Sequence, residues 1–99
     1  NDSISTTPLA TLAALDSLHG RTVTVLVGGH DRGLDWSPFV EAMSFAPPHA
    51  IVCMGGNGGR IADALRDARV SCPLAHVDNL AAAVAEARRI TPPAGVIVL

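Results

Sequence analysis

The sequence predicts an α/β domain in which a mostly parallel β-sheet is covered by helices on both faces. Three observations support this fold class. The hydrophobic share of 48% is carried mainly by aliphatic residues, since aromatic residues make up only 3%. Helix-like and strand-like segments alternate along the chain, and short loops join them. Because neighbouring parallel strands need crossover connections, the alternation indicates a parallel sheet with helices packed against it.

Local signals in the first half of the chain place the elements in order. Thr7-Pro8 is typical of a helix start and Gly20 of a helix stop, so a helix is predicted over residues 8–19. The β-branched run at 22–27 predicts a buried strand. Ser37-Pro38 repeats the helix-start signal and begins a short second helix.

The second half continues the same alternation. Pro47-Pro48 interrupts the short helix, and residues 50–54 form a second buried strand. Asp78 is a candidate cap for a late helix, because its side chain can accept a hydrogen bond from the first helical turn. The remaining predicted elements are a helix over 59–69, a strand at about 72–77, a helix over 79–90 and a strand over 95–99.

Ligands of such sheets bind outside the carboxyl ends of the strands. In this chain that edge contains residues 28–36, residues 55–60 and Asp78-Asn79. We therefore expect a functional site to draw on these three segments.

Charge and composition exclude several classes of partner. The net charge is -2 and no Lys/Arg cluster occurs, so nucleic acid and membrane surfaces are not expected partners. No transmembrane run or signal peptide is recognisable, which predicts a cytoplasmic protein. Cys53 lies in an apolar run and Cys72 precedes a proline, so two buried free thiols are expected rather than a disulfide.

The length predicts one domain over residues 1–99, since roughly 100 residues is a common domain size. The chain opens without methionine and stops at Leu99 inside an apolar run. We therefore expect the domain to be incomplete at both ends, with further chain on either side.

Two glycine-rich segments partly match the patterns of phosphate-binding loops. Residues 28–33 have the four-residue gap of a P-loop, but Leu34-Asp35 stand where Lys and Ser/Thr are needed. Gly56-Asn-Gly-Gly-Arg60 follows a strand like a dinucleotide fingerprint, yet it lacks the third glycine. The alternative interpretation is that these glycines allow a tight turn from strand to helix.

The histidines and cysteines predict neither a metal site nor a nucleophile. None of them shows a ligand spacing such as CxxC, HxxxH or HExxH, and no GxSxG elbow is present. The histidines and cysteines of the chain are His19, His30, His49, His76, Cys53 and Cys72. We therefore assign no catalytic residue and no metal ligand to this chain.

Arg32 is the strongest candidate binding residue. It follows a strand end, where a guanidinium can hold a carboxylate or phosphate with two hydrogen bonds. The alternative is a loop ion pair with Asp31 or Asp35. A second candidate is the segment Asn1-Asp2-Ser3, whose acceptors can hold ribose hydroxyls, followed by the small donor Thr6.

These segments carry a resemblance to a known family. Asn1-Asp-Ser-Ile-Ser-Thr-Thr-Pro8 is similar to a family pattern Asn-Asp-Ser-Lys-Ala-Thr-Asn, and Val27-Gly-Gly-His-Asp-Arg-Gly-Leu-Asp-Trp36 to Gly-Gly-x-Asp-Lys-Gly-x-Asp-Phe. The Ala-rich segment 79–87 and the run 95–99 also match. Together they resemble the C-terminal domain of the Mur ligases, in the branch that joins D-glutamate to UDP-N-acetylmuramoyl-L-alanine.

The resemblance implies a Rossmann-like three-layer αβα fold and a part in ATP-dependent peptide-bond formation. In the family, ATP phosphorylates a carboxylate with the help of Mg²⁺, and the amine of glutamate attacks the acyl-phosphate. A central domain, absent here, supplies the P-loop and the magnesium ligands. By position, Asn1 and Asp2 would contact ATP, whereas Thr6 and Arg32 would contact glutamate. The resemblance also implies a monomer that is inactive without the other domains.

Two departures from the family pattern leave alternatives open. Arg32 stands in place of a lysine, and Ile4 removes another positive charge. One alternative is therefore a sister ligase that adds L-glutamate to the same precursor. An alternative of another class is a non-catalytic α/β module that binds an anion or nucleotide.

Overall fold

A computed structural model describes residues 8–18, 20–28 and 35–98 of the chain. Four helices and four strands alternate within these ranges. They are α1 (Pro8–Ser17), β1 (Val23–Gly28), α2 (Ser37–Phe45), β2 (Ala50–Met54), α3 (Gly55–Asp67), β3 (Leu74–Val77), α4 (Leu80–Ile90) and β4 (Val96–Val98). The predicted alternation is confirmed.

The strands form one sheet in the order β3-β2-β1-β4. Every pair of neighbours is parallel, with Val25 opposite Ile51 on one side of β1 and opposite Val98 on the other. The connections to β2 and β3 step in one direction from β1, whereas β4 returns to its other side. The predicted α/β class, Rossmann-like with three layers, is confirmed.

Helices cover both faces of this sheet because the strand residues alternate between two apolar clusters. One cluster joins β1 and β2 to the apolar sides of α1, α2 and α3, and Phe39 and Leu65 are fully buried in it. The other joins Leu26 and Val52 to Ala83 and Ala87 of α4. No helix in the described ranges is long and apolar enough to cross a membrane.

Two predicted boundaries are wrong in an informative way. Helix α3 begins at Gly55 and not at residue 59, so the glycine-rich segment builds the first turn of the helix. The cap of α4 is Asn79 and not Asp78, because the Oδ1 atom of Asn79 accepts from Ala82 N–H at 2.9 Å. In both places the chain turns from strand to helix earlier or later than composition indicates.

Both cysteines are free thiols, as predicted, although only Cys53 is fully buried while Cys72 is half-buried. Burial raises the pKa of the Cys53 thiol from 9.0 to about 12 and also raises the pKa of Cys72. Because the thiolate is the nucleophile, neither side chain is activated for covalent catalysis at neutral pH.

We expect a thiol-specific disulfide reagent at pH 8 to label Cys72 first. Cys53 should react at least about 100-fold more slowly, because it is buried and protonated. The absorbance of the released thiolate measures both rates. In the control Cys72→Ser, the fast phase should vanish, and the remaining thiol should be labelled only as fast as the protein unfolds. Rapid labelling of that variant would contradict the assignment of the fast phase to Cys72.

Candidate functional site at the carboxyl edge of the sheet

The sheet topology indicates a candidate ligand site at the carboxyl ends of the neighbouring strands β1 and β4. In open parallel sheets, ligands bind where the connections on either side of a strand lead to opposite faces. Here the crossover after β1 packs α2 on one face, and the crossover before β4 packs α4 on the other. The segment that follows β1, which contains Arg32, therefore starts at this switch point.

Gly28, the last residue of β1, lies close to the start of α3. Its φ of +116° lies in the region that favours glycine. A Cβ on Gly28 would collide with the carbonyl oxygen of Met54 and lie 3.2 Å from the Cα of Gly58. The backbones of β1, β2 and α3 thus meet at Gly28 without room for a side chain.

Residues 35–37 define where the same segment joins α2. Asp35 Oδ1 accepts from the backbone N–H of Ser37 at 2.9 Å, which supplies an acceptor to the first turn of the helix. Trp36, only 7% exposed, packs edge-on against Phe39 with ring centroids 5.4 Å apart. Gly28 and Trp36, which flank the segment 29–34 in the sequence, are therefore both closely packed.

We expect Asp35 to stabilise the fold at neutral pH and to lose this contribution in acid. Hydrogen bonds from the side chain and backbone of Ser37 hold the pKa of this exposed carboxyl below 3.8. A lowered folded-state pKa means that the contribution is complete above the unfolded value and is lost as the pH falls through the folded value. The urea midpoints of the wild type and Asp35→Asn should therefore differ slightly at pH 7 and converge below about pH 3.

For that comparison, the control is Asp67→Asn on an exposed position of α3. The difference between the midpoints of this control and the wild type should change less between pH 5 and pH 3 than the difference for Asp35→Asn does. A constant difference between Asp35→Asn and the wild type at every pH would show that the Asp35 charge contributes nothing.

The first turn of α3 places polar groups at the same edge. Asn57 is 7% exposed, and its Oδ1 accepts from Nη2 of Arg60 at 2.9 Å. Gly58 packs directly on β2, since a Cβ there would lie 2.9 Å from the carbonyl carbon of Cys53. From β3, Nε2 of His76 lies 2.8 Å from the carbonyl oxygen of Gly55. This close packing supports the tight-turn interpretation of the glycines.

The four predicted binding residues, Asn1, Asp2, Thr6 and Arg32, lie outside the described residues. Their roles remain predictions, and so does the alternative ion pair of Arg32. The ends of the Arg32 segment lie at the carboxyl edge, where the sequence predicted them. Asp78 and Asn79 also lie there as exposed residues, and Asn79 caps α4.

Sequence reasoning did not single out Trp36, Asn57 or Arg60 as site residues. Arg60 is exposed, and its Nη2 donates to Oδ1 of Asn57 at 2.9 Å in the first turn of α3. The only available signal was the position of these residues directly after strand ends. Within the described part of the chain, no group of three or more His, Cys, Asp or Glu residues is placed to hold a metal ion.

The chain is similar to known proteins over part or all of its length. A relative from Xanthomonas euvesicatoria is 61% identical over 61 residues, which are 62% of this chain and 13% of the relative. One from Xylella fastidiosa is 60% identical over 62 residues, again 62% and 13%. One from Micromonospora is 41% identical over 102 residues, which cover 100% of this chain and 22% of the relative. No family model matches the chain.

The fold and these similarities define the class as an α/β domain homologous to part of a ligase. Each of the three relatives is named UDP-N-acetylmuramoyl-L-alanine--L-glutamate ligase. The chain is homologous to these ligases, and its resemblance to the Mur ligase family is confirmed. It spans between 13% and 22% of the length of the curated relatives described above.

Proposed function

We propose that this chain is the C-terminal domain of an ATP-dependent ligase that adds L-glutamate to UDP-N-acetylmuramoyl-L-alanine, in peptidoglycan-precursor synthesis. The identity of 41% across the whole chain to a relative with that name carries the proposal. The names of the relatives favour L-glutamate, one of the two alternatives left open by the sequence, and give no support to D-glutamate. The proposed location is the cytoplasm.

The proposed reaction has two steps. First, the γ-phosphoryl group of ATP passes to the alanine carboxylate, giving an acyl-phosphate and ADP. Then the nitrogen of glutamate attacks the acyl carbon, phosphate leaves with its bonding electrons, and the nitrogen loses a proton as the amide forms. Mg²⁺ would screen the phosphate charge, and a central domain outside this chain would bind most of the ATP and the metal.

In this proposal the present domain supplies binding and orientation. Arg32 would hold a carboxylate of glutamate with two charge-assisted hydrogen bonds, and Thr6 would donate another. Asn1 and Asp2 would contact ATP. The position of the Arg32 segment directly after β1, at the switch point of the sheet, supports this assignment. Positioning of this kind accelerates a reaction because it removes the entropy cost of bringing reactants together.

The decisive experiment is an assay of the full-length protein with UDP-N-acetylmuramoyl-L-alanine, Mg²⁺, ATP and either enantiomer of glutamate. We expect ADP release and product with L-glutamate, at a kcat/KM at least about 100-fold above that for D-glutamate, because a misplaced carboxylate would leave its proposed cationic partner, Arg32, without a hydrogen bond. Product with D-glutamate alone would overturn the stereochemical assignment, and absence of product with both would overturn the ligase proposal.

A calorimetric titration of the 99-residue chain separates the ligase from a non-catalytic binding module. If the site is completed by another domain, ATP and L-glutamate should bind this chain with a Kd weaker than about 1 mM. Micromolar binding of either compound to this chain would favour the binding module.

A further inference from the structure

The first turn of α3 contains the dipeptide Asn57-Gly58. Asparagine followed by glycine is especially prone to deamidation, because no side chain shields the glycine nitrogen from the asparagine amide. The nitrogen loses its proton and bonds to Cγ, the side-chain amide leaves as ammonia, and water opens the resulting succinimide to aspartate or isoaspartate. Asn57-Gly58 has the sequence that this reaction requires.

The closed turn holds this pair in a geometry unsuited to the reaction. Asn57 is only 7% exposed, and its Oδ1 accepts from Nη2 of Arg60 at 2.9 Å. Gly58 is helical and lies against Cys53, where an added Cβ would be 2.9 Å from the carbonyl carbon. Formation of the succinimide ring requires the asparagine side chain and the backbone between the two residues to rotate. The turn must therefore open before the nitrogen can reach Cγ.

The same turn is intrinsically weak as a helix. Four of the first five residues of α3 are glycines, and glycine is among the poorest helix formers. In the described structure, the N-cap residue Met54 supplies no side-chain hydrogen bond, and the first turn contains no acidic residue to complement the helix dipole. A helix end of this kind opens at a much lower free-energy cost than the whole fold.

A contact from β3 closes the turn in spite of its weak helix propensity. Nε2 of His76 donates to the carbonyl oxygen of Gly55 at 2.8 Å. The imidazole also lies beside Gly59, since a Cβ built there would be 3.4 Å from its Cε1. His76 therefore contacts the turn on both sides of Asn57 in the sequence. Opening of the turn would break these contacts.

We propose that Asn57-Gly58 is a deamidation site whose rate is set by local opening of the first turn of α3, and that His76 keeps this turn closed. Isoaspartate adds a methylene group to the main chain at residue 57, so Gly58 could no longer pack on β2 as it does now. The reaction consumes only water. The proposal is independent of the ligase activity proposed above.

Peptide mapping of the 99-residue chain, incubated at pH 8, tests the proposal. Trypsin releases residues 33–60 as one peptide, in which aspartate and isoaspartate at position 57 are separated by chromatography. We expect conversion in the folded chain to be at least about tenfold slower than in the isolated peptide 33–60, which has no tertiary contacts. Asn79 is followed by leucine and caps α4, so it should stay intact over the same time.

Two histidine variants distinguish local opening from unfolding of the whole chain. His76→Ala removes the hydrogen bond to Gly55 and should speed conversion by about two- to tenfold. His49→Ala is the matched control, because Nε2 of His49 also donates to a backbone carbonyl, that of Ile90 at 2.9 Å, but at the end of α4. This control should leave the rate unchanged. Circular dichroism checks that each variant is folded.

Gly56→Ala should act in the opposite direction. A Cβ on Gly56 meets nothing within 4 Å, and alanine is the better helix former. Conversion in the folded chain should therefore slow by about two- to fivefold, whereas the isolated peptide with the same substitution should react at an unchanged rate.

Four results would contradict the proposal. Equal acceleration by His76→Ala and His49→Ala would show that the reaction follows unfolding of the whole chain. Equal rates in the folded chain and the isolated peptide would show that the turn gives no protection. Asn57 that stays intact in the folded chain, or Asn79 that converts as fast as Asn57, would overturn the site.

Discussion

Gly28→Val is expected to lower the free energy of unfolding by more than about 3 kcal/mol, because two penalties combine there. The φ of +116° is strained for any residue with a side chain, and most of all for a β-branched one. The new Cβ would also meet the backbone of Met54 and Gly58, which cannot rotate away. Urea denaturation of the 99-residue chain measures the change.

Gly56→Ala is the matched control for Gly28→Val. Gly56 lies in the first turn of α3, and a Cβ built on it meets nothing within 4 Å. Alanine is a better helix former than glycine, so this variant should be neutral or more stable by up to about 1 kcal/mol. If both glycine variants changed stability by similar amounts, the close approach at Gly28 would not be the cause.

Loss of Gly28 should also affect the proposed ligase. The segment with Arg32 begins directly after Gly28, so a shift of the β1 end would displace that segment from the switch point. In the full-length protein we expect Gly28→Val to raise the KM for glutamate. An unchanged KM in a folded variant would show that the segment is positioned independently of Gly28.

Arg32→Ala is expected to raise the KM for glutamate by about 10- to 100-fold in the full-length ligase. This corresponds to the loss of charge-assisted hydrogen bonds worth about 1.5–3 kcal/mol. If Arg32 holds substrate and transition state equally, kcat should change little. Steady-state kinetics at saturating ATP and nucleotide substrate measure both constants.

Two further variants make the Arg32 experiment specific. Arg32→Lys restores the residue of the family pattern and should recover part of the affinity, since a single ammonium keeps the charge but not the planar fork. Arg88→Ala removes an exposed guanidinium from the last turn of α4 and should leave the KM unchanged. Unaltered kinetics in Arg32→Ala would favour the loop ion pair with Asp31 or Asp35.

Much of the fold could be predicted because its signals are local. Thr22–Val27 is short, β-branched and apolar, which is sufficient to indicate a buried strand, and Ser37-Pro38 marks a helix start. The start of α3 was harder to predict from the sequence. Glycines usually indicate a loop, but here Gly58 is in the helix because its missing side chain lets α3 pack on Cys53.

The sequence predicts where the candidate site lies but not which side chains make contact there. Strand ends are readable in sequence, so the ends of β1 and β2 and the glycine-rich segment after β2 were predicted at the carboxyl edge where the structure has them, whereas residues 29–34 lie outside the described residues. The burial of Asn57 and its bond to Arg60 depend on how α3 packs, which no local pattern encodes. The unpartnered indole of Trp36 is likewise a property of its surroundings.

For this protein, composition and periodicity were sufficient to predict the alternating elements and the parallel sheet, and two short motifs, residues 1–8 and 27–36, carried the family resemblance. These features depend on residues close together in sequence, whose preferences act over one turn or one strand. The strand order, the close approach of Gly28 to Met54 and the groove between α2 and α3 depend on packing between distant segments. They follow from which apolar faces meet, and that is settled only when the whole chain folds.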